Sequence, residues 1–268
     1  AVWTAMLQRV SPRPDHFVNV ARRLQRLGRQ QQAIETLLDG VKATGNERPF
    51  LWDLAQLHME VGNQQEAVRL HLQLITLEPY RLLQITGSLD VRAETAADDN
   101  SASDGLGAYI KALRAAIVEA EPATTLLLAH ALLLSGKPDQ AFSALTLLRW
   151  GDLGQHREVV TDGLIRFAQR GEQLGHPQIV SRTYELLTRW TGDPRYATTS
   201  LQRRAQMQAR QGNTVAAIAT YRQLLSTIER PSDVAIHELE LAELLLSTGH
   251  AAECRQMLEP LSSSKYLS

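Results

Sequence analysis

The sequence predicts an all-α protein, a right-handed α-solenoid (superhelix) of about seven helical hairpins. Three observations predict this fold class. The 268-residue chain is 44% hydrophobic but only 5% aromatic, a Leu- and Ala-rich composition with few strand-favouring residues. Apolar residues recur at spacings of three and four, as on one face of a helix. Six alanines, each followed by a glycine seven residues later, recur along the chain at intervals of about one or two repeat lengths.

These alanine–glycine pairs divide the chain into repeats. Successive glycines are 34, 74, 39, 37 and 37 residues apart, and the double-length step contains Ala93 and Asn100 at the same offset. Five residues after each glycine a small or modest apolar residue begins another helical pattern. The pairs are Ala21/Gly28, Ala55/Gly62, Ala129/Gly136, Ala168/Gly175, Ala205/Gly212 and Ala242/Gly249. Each repeat is therefore predicted to be a helix, a tight turn closed by a glycine C-cap, and a second helix.

The repeat boundaries follow in order from these landmarks. We expect one superhelical domain over 1–268, forming a segment of a longer array. It starts with a partial repeat at 1–13, and the full repeats that follow are 14–47, 48–85, 86–121, 122–160, 161–197, 198–234 and 235–268.

Individual helices are predicted from their apolar faces. In the first repeat Phe17, Ala21 and Leu24 share one face, and Ala33 and Leu37 continue the pattern after the turn. The second repeat has the same arrangement, and the fourth to seventh are predicted from their own alanine–glycine pairs.

The third repeat is irregular. Its first helix is predicted over 82–97, and the acidic stretch 94–104 is predicted to be a mobile, solvated turn. A calcium loop is the alternative for this stretch. It is disfavoured, because the stretch lacks the ladder of acidic ligands that such loops use.

This organisation resembles the tetratricopeptide repeat family over nearly the whole chain. In that family a 34-residue helical hairpin carries small residues at its eighth and twentieth positions and often Pro near its end, a place that Pro79 occupies in the second repeat. Most repeats here exceed 34 residues, and the expected early aromatic residue is present only as Phe17.

The resemblance implies a partner-binding groove lined by first helices. The family's groove positions, carried over to this chain, predict contacts from Leu126 and Leu133 and a principal set of nine residues. That set is Arg22, Arg26, Trp52, Gln56, Met59, His130, Gln169, Gln206 and Arg210. Trp52 is the best single anchor, because a tryptophan offers a large contact area and one hydrogen-bond donor; packing against the neighbouring repeat is the equally weighted alternative.

Enzymatic function is not expected. The chain carries no nucleophile elbow, phosphate loop, dinucleotide fingerprint or complete zincin motif, and its eight histidines are scattered. Cys254 is its single cysteine, so it forms no internal disulfide and no cysteine-based zinc cluster. We therefore expect no catalytic residue, no metal and no cofactor.

Charge argues against nucleic acid as the ligand. The chain has 28 basic and 29 acidic residues, and no apolar stretch is long enough to span a membrane. An RNA reader of the pentatricopeptide type, also built of helical hairpins, is the alternative. Its basic groove and regular period are lacking.

The expected function is that of a non-catalytic scaffold that binds a protein or peptide. The Arg-rich, divergent array further resembles scaffolds of bacterial envelope assemblies that export exopolysaccharides. That resemblance implies the periplasm over the cytoplasm, an envelope protein or glycan-modifying enzyme as partner, and no membrane contact by this segment.

Overall fold

The computed structural model describes residues 12–96, 101–116, 121–228 and 231–262. Within these ranges the chain is helical and has no strand. The predicted all-α helical-repeat fold is confirmed. The α-helices, in chain order, are α1 (Pro14–Arg26), α2 (Gln30–Thr44), α3 (Leu51–Glu60), α4 (Gln64–Leu77), α5 (Arg81–Ala96), α6 (Ser101–Ala116), α7 (Pro122–Leu134), α8 (Pro138–Leu145), α9 (Arg157–Gln173), α10 (Pro177–Thr191), α11 (Pro194–Arg210), α12 (Thr214–Thr227), α13 (Pro231–Ser247) and α14 (Ala251–Ser262).

These helices follow one another as hairpins, with odd-numbered first helices and even-numbered second helices. Short 3₁₀ segments, Arg48–Phe50 and Trp150–His156, precede α3 and α9. The chain divides into two compact units, Ala1–Gly163 and Leu164–Ser268. Most packing within each unit joins a helix to the next helix or the next but one along the chain.

The turns form as the alanine–glycine pairs predict. Gly62 has a φ of 80°, and the amide of Asn63 donates to the carbonyl of His58 at 2.8 Å, which closes the end of α3. Glycine adopts this left-handed conformation without steric cost, so the chain reverses within three residues. The Asn63 side chain then caps α4 by accepting from the amide of Glu66. All six landmark glycines have positive φ, namely Gly28, Gly62, Gly136, Gly175, Gly212 and Gly249.

Small residues allow the helices of a hairpin to approach closely. The alanine of each of the six alanine–glycine pairs is buried, as is the small residue that begins the second-helix pattern after each pair. In the first hairpin Gly40 of α2 lies against the rings of Phe17 and Phe50, which meet edge to face with centroids 6.3 Å apart. The core of unit 1 is built around these contacts and the leucines of α1 to α4. In unit 2 a second core joins α11 to α14 around Leu224 and Leu245.

The third hairpin differs from the expectation. The stretch 94–104 was expected to be an irregular connection, but α5 extends to Ala96 and α6 begins at Ser101. Alanine and glutamate favour helix enough to extend α5 despite the low apolar content. Residues 97–100, including the landmark Asn100, lie outside the described residues, as do residues 1–11 of the expected partial repeat.

Candidate functional site: the first helices

Predicted groove residues of unit 1 lie on α1, α3 and α7, and hydrogen bonds between successive first helices engage several of them. Arg22 of α1 donates to Asp53 of α3 through Nε at 2.7 Å and Nη2 at 3.3 Å. The bond to Asp53 raises the pKa of the Arg22 guanidinium. Gln25 of α1 donates to Glu60 of α3 at 2.6 Å. Arg26 is exposed. Arg22 therefore stabilises the seam between two repeats, and Arg26 faces solvent.

A second seam joins α3 to α5 and is richer in donors than in acceptors. The Ser88 hydroxyl donates to Gln56 Oε1 at 2.9 Å, and Arg92 Nη2 donates to the Gln56 carbonyl at 3.3 Å. Arg92 Nη2 lies 3.9 Å from Glu60 Oε1. Gln56 Nε2 is buried and has no hydrogen-bond partner among the residues that the structure describes. We call Trp52, Gln56, Glu60, Ser88 and Arg92 the Gln56–Arg92 cluster.

The charged guanidinium of Arg92 is partly buried. Burial lowers the pKa of its guanidinium, and the nearby Glu60 carboxylate opposes that change. An arginine stays protonated at physiological pH in any case, so the cluster presents a cation with long contacts to its acceptors.

Trp52 is partly buried in the core and partly accessible at the surface. Its half-buried ring packs against the unit 1 core and lies 6.3 Å from the His71 ring. His71 is buried, and its Nδ1 lies 2.8 Å from the Tyr109 hydroxyl. Burial lowers the pKa of His71 to about 3, so the imidazole is neutral at physiological pH. The same burial raises the pKa of Tyr109.

Two of the nine predicted groove residues are not accessible in unit 1. Met59 is only 9% exposed and His130 only 1%, so the prediction that they line an open groove is wrong. Leu126 and Leu133 are likewise buried. His130 instead pairs with Asp90 of α5, its Nε2 lying 2.9 Å from Oδ1. Helix α7 is apolar on nearly every side, so the position that the family exposes is covered by neighbouring helices here.

In unit 2, one predicted groove residue bonds to the neighbouring first helix and two are exposed. Gln206 of α11 donates to Glu240 of α13 at 3.0 Å, and Gln202 donates to the same carboxylate at 3.2 Å. Glu240 also pairs with His237, one helical turn before it. Gln169 on α9 and Arg210 on α11 are exposed. Gln206 thus links two repeats, as Arg22 does in unit 1.

Sequence reasoning missed the partners of these residues. Asp53, Ser88, Arg92 and Glu240 lie 31 to 36 residues from the side chains they meet. The repeat length carries a signal for this, because positions about one repeat apart fall on adjacent first helices. That signal gives proximity and does not identify the bonding pairs.

The chemistry available on these helices is recognition by hydrogen bonds, charge and apolar contact. In the part of the chain that the structure describes, no group of three or more His, Cys, Asp or Glu side chains is placed to hold a metal ion. None of the helices described is both long and apolar enough to cross a membrane.

Two segments of the chain, residues 122–141 and 236–260, match the family model described as tetratricopeptide repeat. The match supports the tetratricopeptide repeat family. The first segment covers α7 and the start of α8, and the second covers most of α13 and α14. Tetratricopeptide repeats generally act as protein–protein interaction modules and are typically not enzymes. No curated protein matches the chain significantly.

Proposed function

We propose that this protein is a non-catalytic scaffold that binds an acidic segment of a partner protein at the Gln56–Arg92 cluster. One observation carries the choice of site and partner: the buried Gln56 Nε2 has no acceptor among the described residues, and Gln56 lies beside a partly buried Arg92. An unpaired buried donor costs free energy, which a partner carboxylate would recover by accepting from Gln56 and Arg92 together.

Trp52 extends this site with an apolar surface. Its ring is half-buried, so the part left accessible stands one helical turn from Gln56 on α3. A partner segment that carries an apolar side chain next to Asp or Glu would contact the ring and both donors. Gln56 Nε2 has almost no accessible surface, so this side chain must move to meet the partner, while the bonds of the two seams hold the helices in place.

The test is binding of a dye-labelled peptide with one Leu among Asp and Glu residues, followed by fluorescence anisotropy. A peptide with Asn and Gln in place of the acidic residues is the comparison. We expect the acidic peptide to bind more tightly and to lose affinity as salt rises. Trp52→Ala should weaken binding by about 2 kcal/mol, or about 30-fold.

Gln56→Ala and Arg92→Met should each weaken binding of the acidic peptide. Gln169→Ala is the matched control, because Gln169 is an exposed glutamine on a first helix of unit 2. Melting temperatures separate lost binding from lost folding. Equal binding of the two peptides, or parental affinity in a folded Gln56→Ala and Arg92→Met double variant, would contradict the proposal.

The cellular setting that we propose is a bacterial envelope assembly that exports exopolysaccharide, with this chain in the periplasm and a glycan-modifying enzyme as partner. The support is the resemblance in composition, since 24 of the 28 basic residues are Arg. Fractionation of cells that express the natural protein tests this setting. Recovery in the cytoplasmic fraction would contradict it.

A further inference from the structure

A second site lies in unit 1, on the side of the second helices. A cleft of about 1250 Å³ is bounded by α2, by α4 with the turn before it, and by α6. Leu38, Leu72 and Ala112 supply apolar wall, and Gln64, Glu66 and Lys111 supply polar groups. The cleft is larger than a typical small-molecule pocket, so it has room for a side chain together with the backbone that carries it.

The cleft exists because most of the α6 residues that line it are alanines. Ala108, Ala112 and Ala115 recur at spacings of four and three and all line it. Where α6 does touch α4, Tyr109 is buried against His71, and Gly105 lies beside Gln64. Helices α4 and α6 are thus in contact along one line and leave a trough next to it.

A buried acceptor belongs to Gln64, one of the residues that line this trough. Gln64 is 8% exposed, and its Nε2 donates to the carbonyl of Met59 at 3.4 Å. Its Oε1 has no donor among the residues described, and the same holds for Nδ1 of His58, which also lines the cleft. An amide oxygen that has lost water and gained no partner is destabilising, and a ligand that supplies an N–H or O–H removes the penalty.

The residues that line the cleft carry more positive than negative charge. Glu66 accepts from Arg69 at 2.7 Å, so these two ionised groups offset each other. Burial lowers the pKa of His58, which is therefore neutral at physiological pH. Among the residues that line the cleft, this leaves the positive charge of the exposed Lys111; Glu47, outside the lining, also pairs with Arg69 at 3.5 Å. A ligand with acidic flanks is favoured, and one that inserts a cation is opposed.

We propose that this cleft binds a partner segment that inserts a tryptophan side chain flanked by acidic residues. The indole has a large apolar body for the alanine and leucine wall and one N–H for Gln64 Oε1. Phenylalanine would fill the same space and leave Gln64 unpaired. This site goes beyond the proposed function, since it is built mainly from second helices and includes none of the Gln56–Arg92 cluster.

The experiment compares two dye-labelled peptides, acetyl-Glu-Gly-Trp-Gly-Glu-amide and its Phe counterpart, by fluorescence anisotropy. One added hydrogen bond predicts that the Trp peptide binds the parent protein about 3- to 10-fold more tightly. Gln64→Met keeps the side-chain volume and removes the acceptor, so both peptides should bind this variant equally. Equal affinities for the parent protein would overturn the proposal.

Two further variants keep the test decisive if Gln64→Met unfolds. Ala112→Leu fills the cleft and should abolish binding, whereas Ala43→Leu on the exposed face of α2 should not. Lys111→Glu reverses an exposed charge and should weaken binding of both acidic peptides. Parental affinity in folded Ala112→Leu would overturn the proposal.

One control separates this cleft from the Gln56–Arg92 cluster. The Gln56→Ala variant should bind the Trp peptide as the parent protein does, because Gln56 is not part of the cleft.

Discussion

At Gly40, on the buried face of α2, an added methyl group has no room. A Cβ there would lie 2.8 Å from Cγ of Phe17 and 2.9 Å from Cε1 of Phe50. We expect Gly40→Ala to lower the free energy of unfolding by about 1–2 kcal/mol, because overpacking outweighs the better helix propensity of alanine. Chemical denaturation measures the change.

Gly107→Ala is the matched control for that prediction. Gly107 is also helical, but it is exposed and a Cβ there would meet nothing within 4 Å. This change should raise the free energy of unfolding by about 0.5–1 kcal/mol. If both variants shifted stability in the same direction, the close approach at Gly40 would not be the cause.

Glu78, just after α4, should make stability depend on pH. Donors on Tyr80, Arg81 and Arg48 lower its pKa to about 2 from an ordinary 4.5. Because the folded-state pKa is depressed, this contribution to stability is complete above pH 4.5 and is lost as the pH falls towards 2. Glu78→Gln should therefore lower the melting temperature at pH 6 and by less than about half as much at pH 3.

The control for Glu78 is Glu35→Gln, on the exposed face of α2. It should change the melting temperature little at either pH. An equal deficit for Glu78→Gln at pH 6 and pH 3 would show that the loss comes from packing and not from ionisation.

At the scale of the helix, the bonds between first helices set how neighbouring repeats meet. Arg22 and Asp53 join α1 to α3, with side chains 52% and 14% exposed. Solvent screens such a pair, so a double-mutant cycle with Arg22→Ala and Asp53→Ala should give a coupling of about 0.5–1 kcal/mol. The coupling should shrink in 1 M NaCl. A coupling of zero in low salt would remove this pair from the seam's stability.

The helices themselves could be predicted from sequence, and the reason is local. Gly62 marks a turn because glycine adopts a positive φ without steric cost. Ala55 marks a close contact because its small side chain lets two helices approach. The accessibility of Met59 and His130 could not be inferred from repeat position, since burial depends on what neighbouring helices carry. His130 lies on α7, whose leucines and alanines cover most of its surface. A helix without a polar face signals such burial, and that signal outweighs the family's positional pattern.

In the candidate sites, too, sequence predicts the helix on which a residue lies but not its neighbours on other helices. Sequence position identified Trp52 and Gln56 as first-helix residues. It did not show that α5 places two donors, Ser88 and Arg92, beside Gln56 and that Gln56 Nε2 has no acceptor among the described residues. Gln64 gave no sequence signal, because a glutamine at the start of a helix is ordinarily solvated. Its burial depends on α6, about 40 residues further along the chain.

At the scale of the whole molecule, most contacts join helices close in sequence. A change in one hairpin should then loosen its neighbours and leave distant hairpins intact. We expect Gly40→Ala to speed hydrogen exchange in α1 to α4 and to leave protection in α11 to α14 unchanged. Mass spectrometry of peptic fragments checks this. Faster exchange throughout the chain would indicate a single cooperative unit.

The same short-range packing bears on how the chain is made. Loop closure between neighbouring helices costs little entropy, and proteins dominated by such contacts fold within microseconds to milliseconds. Translation adds only about 5–20 residues per second. Each hairpin of unit 1 can therefore close before the next has left the ribosome, and its apolar faces spend little time open to other nascent chains.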